Sequence, residues 1–108
     1  MEFTVTGAPR DLARAIQEYA KGRGSVTAIV VPWESSQTTI SMAVTSVKSD
    51  GWAIEHTNLG TIALTDLGNQ ATRIAILEQA PDHPEQQRLR AVFDRFAQQV
   101  RQKFAPAP

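Results

Sequence analysis

The sequence contains no cysteine and only two histidines, His56 and His83, among its 108 residues. A chain without cysteine cannot form a disulfide framework, a zinc site with thiolate ligands or a thiol nucleophile. A metal site built on His83 would need further ligands, and the sequence spacing supplies none. We therefore predict no metal, with His83 as an N-cap or loop residue.

Long apolar runs are also missing. A membrane-spanning helix needs about 20 mostly apolar residues, and no stretch of this sequence approaches that length. The first residues, MEFTVTGAPRDL, lack the basic start and apolar core of a signal peptide. We therefore expect a cytoplasmic protein without membrane contact.

Charge of one sign is absent as well, because 11 basic residues balance 11 acidic ones. The basic residues nevertheless concentrate in residues 83–108, where five of them accompany two acidic residues. Basic side chains near the end of a helix favour its dipole, so a solvated helix surface explains this excess. We expect no nucleic acid partner.

Motifs that would organise catalysis or phosphate binding do not occur. The sequence has no G-x-S-x-G elbow, no S-x-x-K motif, no Walker A loop and no G-x-G-x-x-G loop. Gly22-Arg23-Gly24 follows a helical pattern, so we interpret it as a helix end. We therefore predict no catalytic residue and no cofactor.

Apolar periodicity supplies the main positive signal. Residues 2–6 alternate like a short strand. A helix follows with Pro9 in its first turn, and its apolar residues form one stripe of Leu12, Ala15, Ile16, Tyr19 and Ala20. Four or five strands follow, separated by turn residues at Ser49-Asp50-Gly51 and Leu67-Gly68-Asn69, with a bulge or turn at residues 58–60.

The last segment has the clearest helical pattern. Pro84 is predicted at the first helical position, and apolar residues recur at spacings of three and four at Leu89, Val92, Phe93, Phe96, Ala97, Val100 and Phe104. Consecutive strands joined by short turns are antiparallel. The sequence thus predicts one two-layer α+β domain over residues 1–104. Its antiparallel sheet is covered by the C-terminal helix, its order is β-α-β-β-β-β(-β)-α, and residues 105–108 form a frayed tail.

Residues 60–77 give this layout a more specific resemblance. The strand GTIALTD, the turn Leu67-Gly68-Asn69 and the strand QATRIAIL resemble the last hairpin of the helix-grip fold. START-type and Bet v 1-like lipid-binding domains, polyketide cyclases and, in a shorter form, the repeats of TATA-binding protein share that fold. The resemblance spans roughly residues 51–104. It implies a ligand cavity between sheet and last helix, and it carries over no catalytic residue.

The candidate binding site follows from this layout. Glu55 and His56 are neighbours on a strand, so they point to opposite faces and cannot form an acid–base pair. The alternation places His56 on the face of Trp52 and Ile54, which we interpret as core. The predicted ligand-binding residues are Met42, Trp52, Ile54, His56, Ile74, Phe93 and Phe96. We also expect Trp33 to pack in the core.

Three functions remain open at this point. The first is a non-catalytic binding module that holds an apolar small molecule between the sheet and the last helix. The second is an interaction or assembly protein that forms a homodimer, because one sheet face rich in Thr, Ser, Ala and Val is left uncovered. The third is an enzyme with His56 as general base, a function that lacks a second catalytic group.

Overall fold

The computed structural model describes residues 1–22, 26–49, 51–79 and 84–105 of the chain. The expectations for Gly24, Asp50 and His83, and for the tail at 106–108, lie outside the described residues.

Five strands form a single antiparallel sheet. They are β1 (Glu2–Thr6), β2 (Val26–Val30), β3 (Thr39–Ser49), β4 (Ile54–Gly68) and β5 (Ala71–Glu78). The order across the sheet is β1-β5-β4-β3-β2. Strands β2 to β5 therefore form a meander, and β1 joins it at the far side against β5. The predicted α+β class and element order are confirmed, with four strands following the first helix.

Two helices pack on the sheet. Helix α1 (Pro9–Lys21) lies over β2, β3 and β4, and helix α2 (Gln86–Phe104) lies over β4 and β5. Pro9 occupies the first turn of α1 as predicted, because a proline there loses no helical hydrogen bond. Helix α2 begins two residues later than predicted, with Glu85 as its N-cap and Pro84 before the helix.

The core lies between the sheet and both helices. Helix α2 buries Leu89, Phe93, Phe96, Ala97 and Val100 of the predicted apolar stripe, and its other two members, Val92 and Phe104, are partly buried. Helix α1 contributes to the same cluster and contacts α2 through an edge-on packing of Tyr19 against Phe96. The sequence-based expectation named α2 as the cover, and the structure adds α1 beside it.

A β-bulge interrupts the pairing of β3 with β4. Val44 pairs with Gly60, but the next residue of β3, Thr45, pairs with Asn58, so Leu59 is the extra residue. Leu59 is buried, and the amide of Gly60 donates a hydrogen bond to Oδ1 of Asn58 at 3.2 Å. An extra residue inverts the face to which the following side chains point. Of the two alternatives predicted for residues 58–60, a bulge or a tight turn, the structure has the bulge, inside one long strand.

Candidate functional site: the uncovered face of the sheet

The sheet has one covered and one uncovered face. The buried residues of both helices belong to one core cluster with alternate residues of all five strands, so both helices lie on the same side. The strand residues that alternate with these core residues point to the other side of the sheet. We call those outside the projecting end of the β3–β4 hairpin (residues 47–49 and 54–58) the open face, and they are Glu2, Thr4, Thr6, Thr27, Ile29, Thr39, Ser41, Ala43, Thr45, Thr61, Ala63, Thr65, Ala71, Arg73, Ala75 and Leu77.

One row of the open face crosses four strands. Leu77 pairs with Thr61, Thr61 pairs with Ala43, and Ala43 pairs with Ile29. The two outer residues are large, apolar and exposed, with 62% of Leu77 and 52% of Ile29 accessible to solvent. Between them the surface is built from small side chains, and it is therefore flat.

Charges on the open face are confined to one pair near the β1 side. Arg73 Nε lies 3.4 Å from Glu2 Oε1, and both side chains are about half exposed. Other charged strand residues face the helix side instead. Lys48 Nζ lies 3.9 Å from Glu85 Oε2, and Arg90 Nε donates to Glu78 Oε1 at 2.6 Å.

The threonine hydroxyls of the open face hydrogen-bond to one another across strands. Thr27 Oγ1 and Thr45 Oγ1 are 2.6 Å apart, and Thr39 Oγ1 and Thr65 Oγ1 are 3.3 Å apart. Each pair satisfies part of its own hydrogen-bonding capacity within the sheet. Covering these threonines therefore costs less than burying hydroxyls that have only water as partners.

Four of the seven predicted ligand-binding residues belong to the core between the sheet and the helices. Met42, Ile74, Phe93 and Phe96 are all at most 3% exposed and belong to the contiguous core. They pack sheet against helix in the way the sequence pattern predicts. Binding of an apolar molecule among them stays a prediction.

The other three predicted residues lie outside the core, and their expected placement is wrong. Trp52 is 98% exposed, Ile54 is 65% exposed, and His56 is exposed as well. Two features explain the error. First, the bulge puts Ile54 and His56 on the opposite side of the sheet from Ile62. Second, the end of the β3–β4 hairpin projects beyond its neighbours, because β2 pairs with β3 only as far as Ser46 and β5 pairs with β4 only as far as Gly60.

The exposure of His56 also bears on the enzyme hypothesis. That hypothesis needs a half-apolar pocket around the imidazole, whereas His56 is exposed. In addition, no group of three His, Asp or Glu side chains within the described ranges could hold a metal ion.

Trp33 is likewise misplaced by the sequence-based expectation. It is 84% exposed and lies in a short 3₁₀ turn, Pro32–Glu34, that follows β2. Hydrogen bonds hold this turn in place, since Ser35 Oγ donates to the carbonyl oxygen of Val31 at 2.8 Å. The turn lies at the end of an edge strand, and the indole stays exposed there.

Two residues of the open face, Ile29 and Leu77, were not predicted as site residues, although the sequence pattern around them indicates contact on this side of the sheet. Each is a large apolar residue in the position of a strand that alternates with the buried ones. A strand with large apolar residues at both odd and even positions is typical of a strand that is buried on both faces of its sheet. That signal holds even where only one face is covered by a helix.

Comparisons with protein-family models, with curated proteins and with solved structures find no match in any of the three. The structure shows the α+β class, and the resemblance to the helix-grip fold therefore remains a prediction. Neither of the two helices within the described residues has the length and apolar content needed to cross a membrane.

Proposed function

We propose that this chain is a non-enzymatic interaction module that pairs with a second copy of itself through the open face. The observation that supports this function is a broad, uncovered sheet face on which, among the residues that the structure describes, only Glu2 and Arg73 are charged. The cytoplasmic location expected from the sequence belongs to the same proposal.

The absence of charge from the open face is informative because of where the other charges lie. A sheet face that meets water in an antiparallel fold normally carries polar and charged residues at alternate positions. Here Lys48 and Glu78 point instead toward α2. Depletion of charged residues is a property of the buried centre of protein interfaces.

A second copy suits this face better than a charged partner does. An isologous interface requires a surface that is complementary to itself. The open face is flat and small-chained, and its one charged pair, Glu2 with Arg73, is neutral as a unit. Two such faces attract one another through apolar contact without like-charge repulsion.

The exposed row suggests how the two copies meet. Packed sheets keep their strands within about 30° of each other, at a separation of about 10 Å. In such a dimer the two-fold axis lies midway between the two sheets. If it runs parallel to the strands and over the boundary between β3 and β4, Leu77 of one copy lies opposite Ile29 of the other. Both exposed apolar side chains are then covered by the same contact.

Light scattering coupled to size exclusion tests this function. At roughly 100 µM we expect a mass of twice 11.8 kDa. Ala43→Lys places a charge at the centre of the row and is expected to give a monomer with an unchanged circular dichroism spectrum. Gln98→Lys adds the same charge on the exposed surface of α2 and serves as the matched control.

Two results would overturn the proposal. One is a wild-type protein that stays monomeric at this concentration. The other is a dimer that Ala43→Lys leaves intact, since that would place the contact elsewhere on the molecule.

A further inference from the structure

A shallow groove of about 260 Å³ lies on the helix side of the molecule, between α1 and the adjoining ends of β2 and β3. We call it the α1 groove, and its lining residues are Arg10, Ala13, Arg14, Gln17, Val30 and Ile40. It is separate from the open face, because Val30 and Ile40 point toward the helices.

The rim of the α1 groove is cationic. Arg10 and Arg14 are one helical turn apart on the same side of α1, and Gln17 continues this line. Both arginines are exposed, and neither forms an ion pair or a side-chain hydrogen bond with any other residue that the structure describes. Two like charges at this spacing repel each other. An anion placed between them would remove that repulsion.

The floor of the groove is apolar. Ala13 is 3% exposed, while Val30 and Ile40 are only partly buried and pack against the core. A simple inorganic anion would leave this floor in contact with water. An apolar chain attached to the anion would cover it.

The groove favours a small molecule over an added peptide strand. A peptide strand would have to pair with the free edge of β2. The amide of Val31 donates to the carbonyl oxygen of Ser41, so the backbone groups at this edge are those of Val26, Ala28 and Val30, which point away from β3. Val26 and Ala28 are only 4% and 2% exposed, so most of this edge is already covered. The volume of about 260 Å³ lies below the roughly 300–1,000 Å³ of drug-sized sites, so the ligand has to be smaller than a typical drug.

From these observations we propose that the α1 groove binds a small monocarboxylate with a short unbranched apolar chain. The carboxylate accepts hydrogen bonds from the guanidinium groups of Arg10 and Arg14, whose planar geometry matches a carboxylate. The chain lies on Val30 and Ile40. This site is independent of the open face, and either proposal can fail without the other.

Titration of the ¹⁵N-labelled protein with octanoate tests the site. We expect saturable amide shifts centred on Ala13, Gln17, Val30 and Ile40, with a Kd at or below about 1 mM. The double variant Arg10→Gln/Arg14→Gln should weaken binding at least about tenfold, because both charge-assisted hydrogen bonds are lost. Arg95→Gln, an exposed arginine on α2, should leave the Kd unchanged.

A second set of measurements examines the apolar floor. Val30→Thr keeps the shape of the side chain and should weaken octanoate binding about threefold or more. Acetate, which has almost no chain, and octanol, which has no charge, should both bind much more weakly than octanoate.

Several outcomes would overturn the proposal. They are the absence of saturable shifts below about 10 mM octanoate, equal binding of octanol, and unchanged binding by the double arginine variant. Equal affinity for inorganic phosphate combined with no effect of Val30→Thr would also overturn it, because the groove would then be a simple cationic surface.

Discussion

Gly60 and Phe93 lie in direct contact where α2 crosses β4. A Cβ atom built on Gly60 would lie 2.6 Å from Cζ of Phe93, and it would also clash with the carbonyl oxygen of Leu77. Only a residue without a side chain allows the helix to sit this close to the sheet. The glycine of the bulge is therefore part of the docking surface of α2.

Gly60→Ala should destabilise the protein by about 1–3 kcal/mol, because the added methyl group would overlap the backbone carbonyl oxygen of Leu77 and the ring of Phe93. Thermal unfolding would show a melting temperature lower by about 4–8 °C for each kcal/mol. Gly22→Ala is the control, since its Cβ would meet only the carbonyl oxygen of Tyr19 at 3.6 Å. A Gly60→Ala protein as stable as this control would contradict the close packing.

Phe96→Ala should cost about 3–5 kcal/mol of unfolding free energy, because it leaves a cavity between α2 and the sheet. The side chain is 3% exposed and also packs edge-on against Tyr19. Arg95→Ala, at the adjacent exposed position, should stay within about 0.5 kcal/mol of the wild type. Similar losses in both variants, measured by denaturant unfolding, would show that the helix does not dock as described.

Gln70→Gly should stabilise the protein by about 0.5–1 kcal/mol. Asn69 and Gln70 both have positive φ, at 54° and 58°, in the turn that joins β4 to β5. A glycine adopts this conformation without steric cost, and the carbonyl oxygen of residue 70 still accepts its hydrogen bond from the amide of Gly7. Gln87→Gly, on the exposed side of α2, should instead destabilise the protein, because glycine is unfavourable in a helix. Destabilisation by Gln70→Gly would show that the glutamine side chain has a structural role.

Intrinsic fluorescence should change little on unfolding. Both tryptophans are exposed, Trp33 at 84% and Trp52 at 98%, so each indole meets water before and after denaturation. The single-tryptophan variants Trp33→Phe and Trp52→Phe separate the two signals. An emission maximum that moves to longer wavelength on unfolding in either variant would mean that the remaining indole is buried in the native protein.

The sequence predicts the covered side of this fold well. The stripe from Leu89 to Val100 and the alternation of Ile40, Met42 and Val44 both indicate burial, and the structure buries all of these except Ile40 and Val92, which are partly covered. Such patterns are reliable where one side of a helix or strand packs on the core and the other meets water, because the apolar residues then recur with the period of the element.

The placement of Ile54 and His56 illustrates what the pattern cannot give. Alternation tells which residues share a face, but a single extra residue at Leu59 exchanges the two faces along the rest of the strand. Local sequence also does not reveal how far neighbouring strands extend. Trp52 is therefore exposed on a hairpin end that neither β2 nor β5 accompanies.

The pairing of β1 with β5 has a consequence for the order of events in folding. The amino group of Met1 donates to the carbonyl oxygen of Ile76 at 3.0 Å, across a separation of 75 residues. Strands β2 to β5, in contrast, pair with their neighbours along the chain and close only short loops. We expect the meander to form in the transition state and β1 to join afterwards. Val5→Ala should therefore speed unfolding while leaving the folding rate nearly unchanged in stopped-flow measurements, whereas Ile62→Val should slow folding. A folding rate that Val5→Ala lowers in full proportion to the lost stability would place β1 in the nucleus instead.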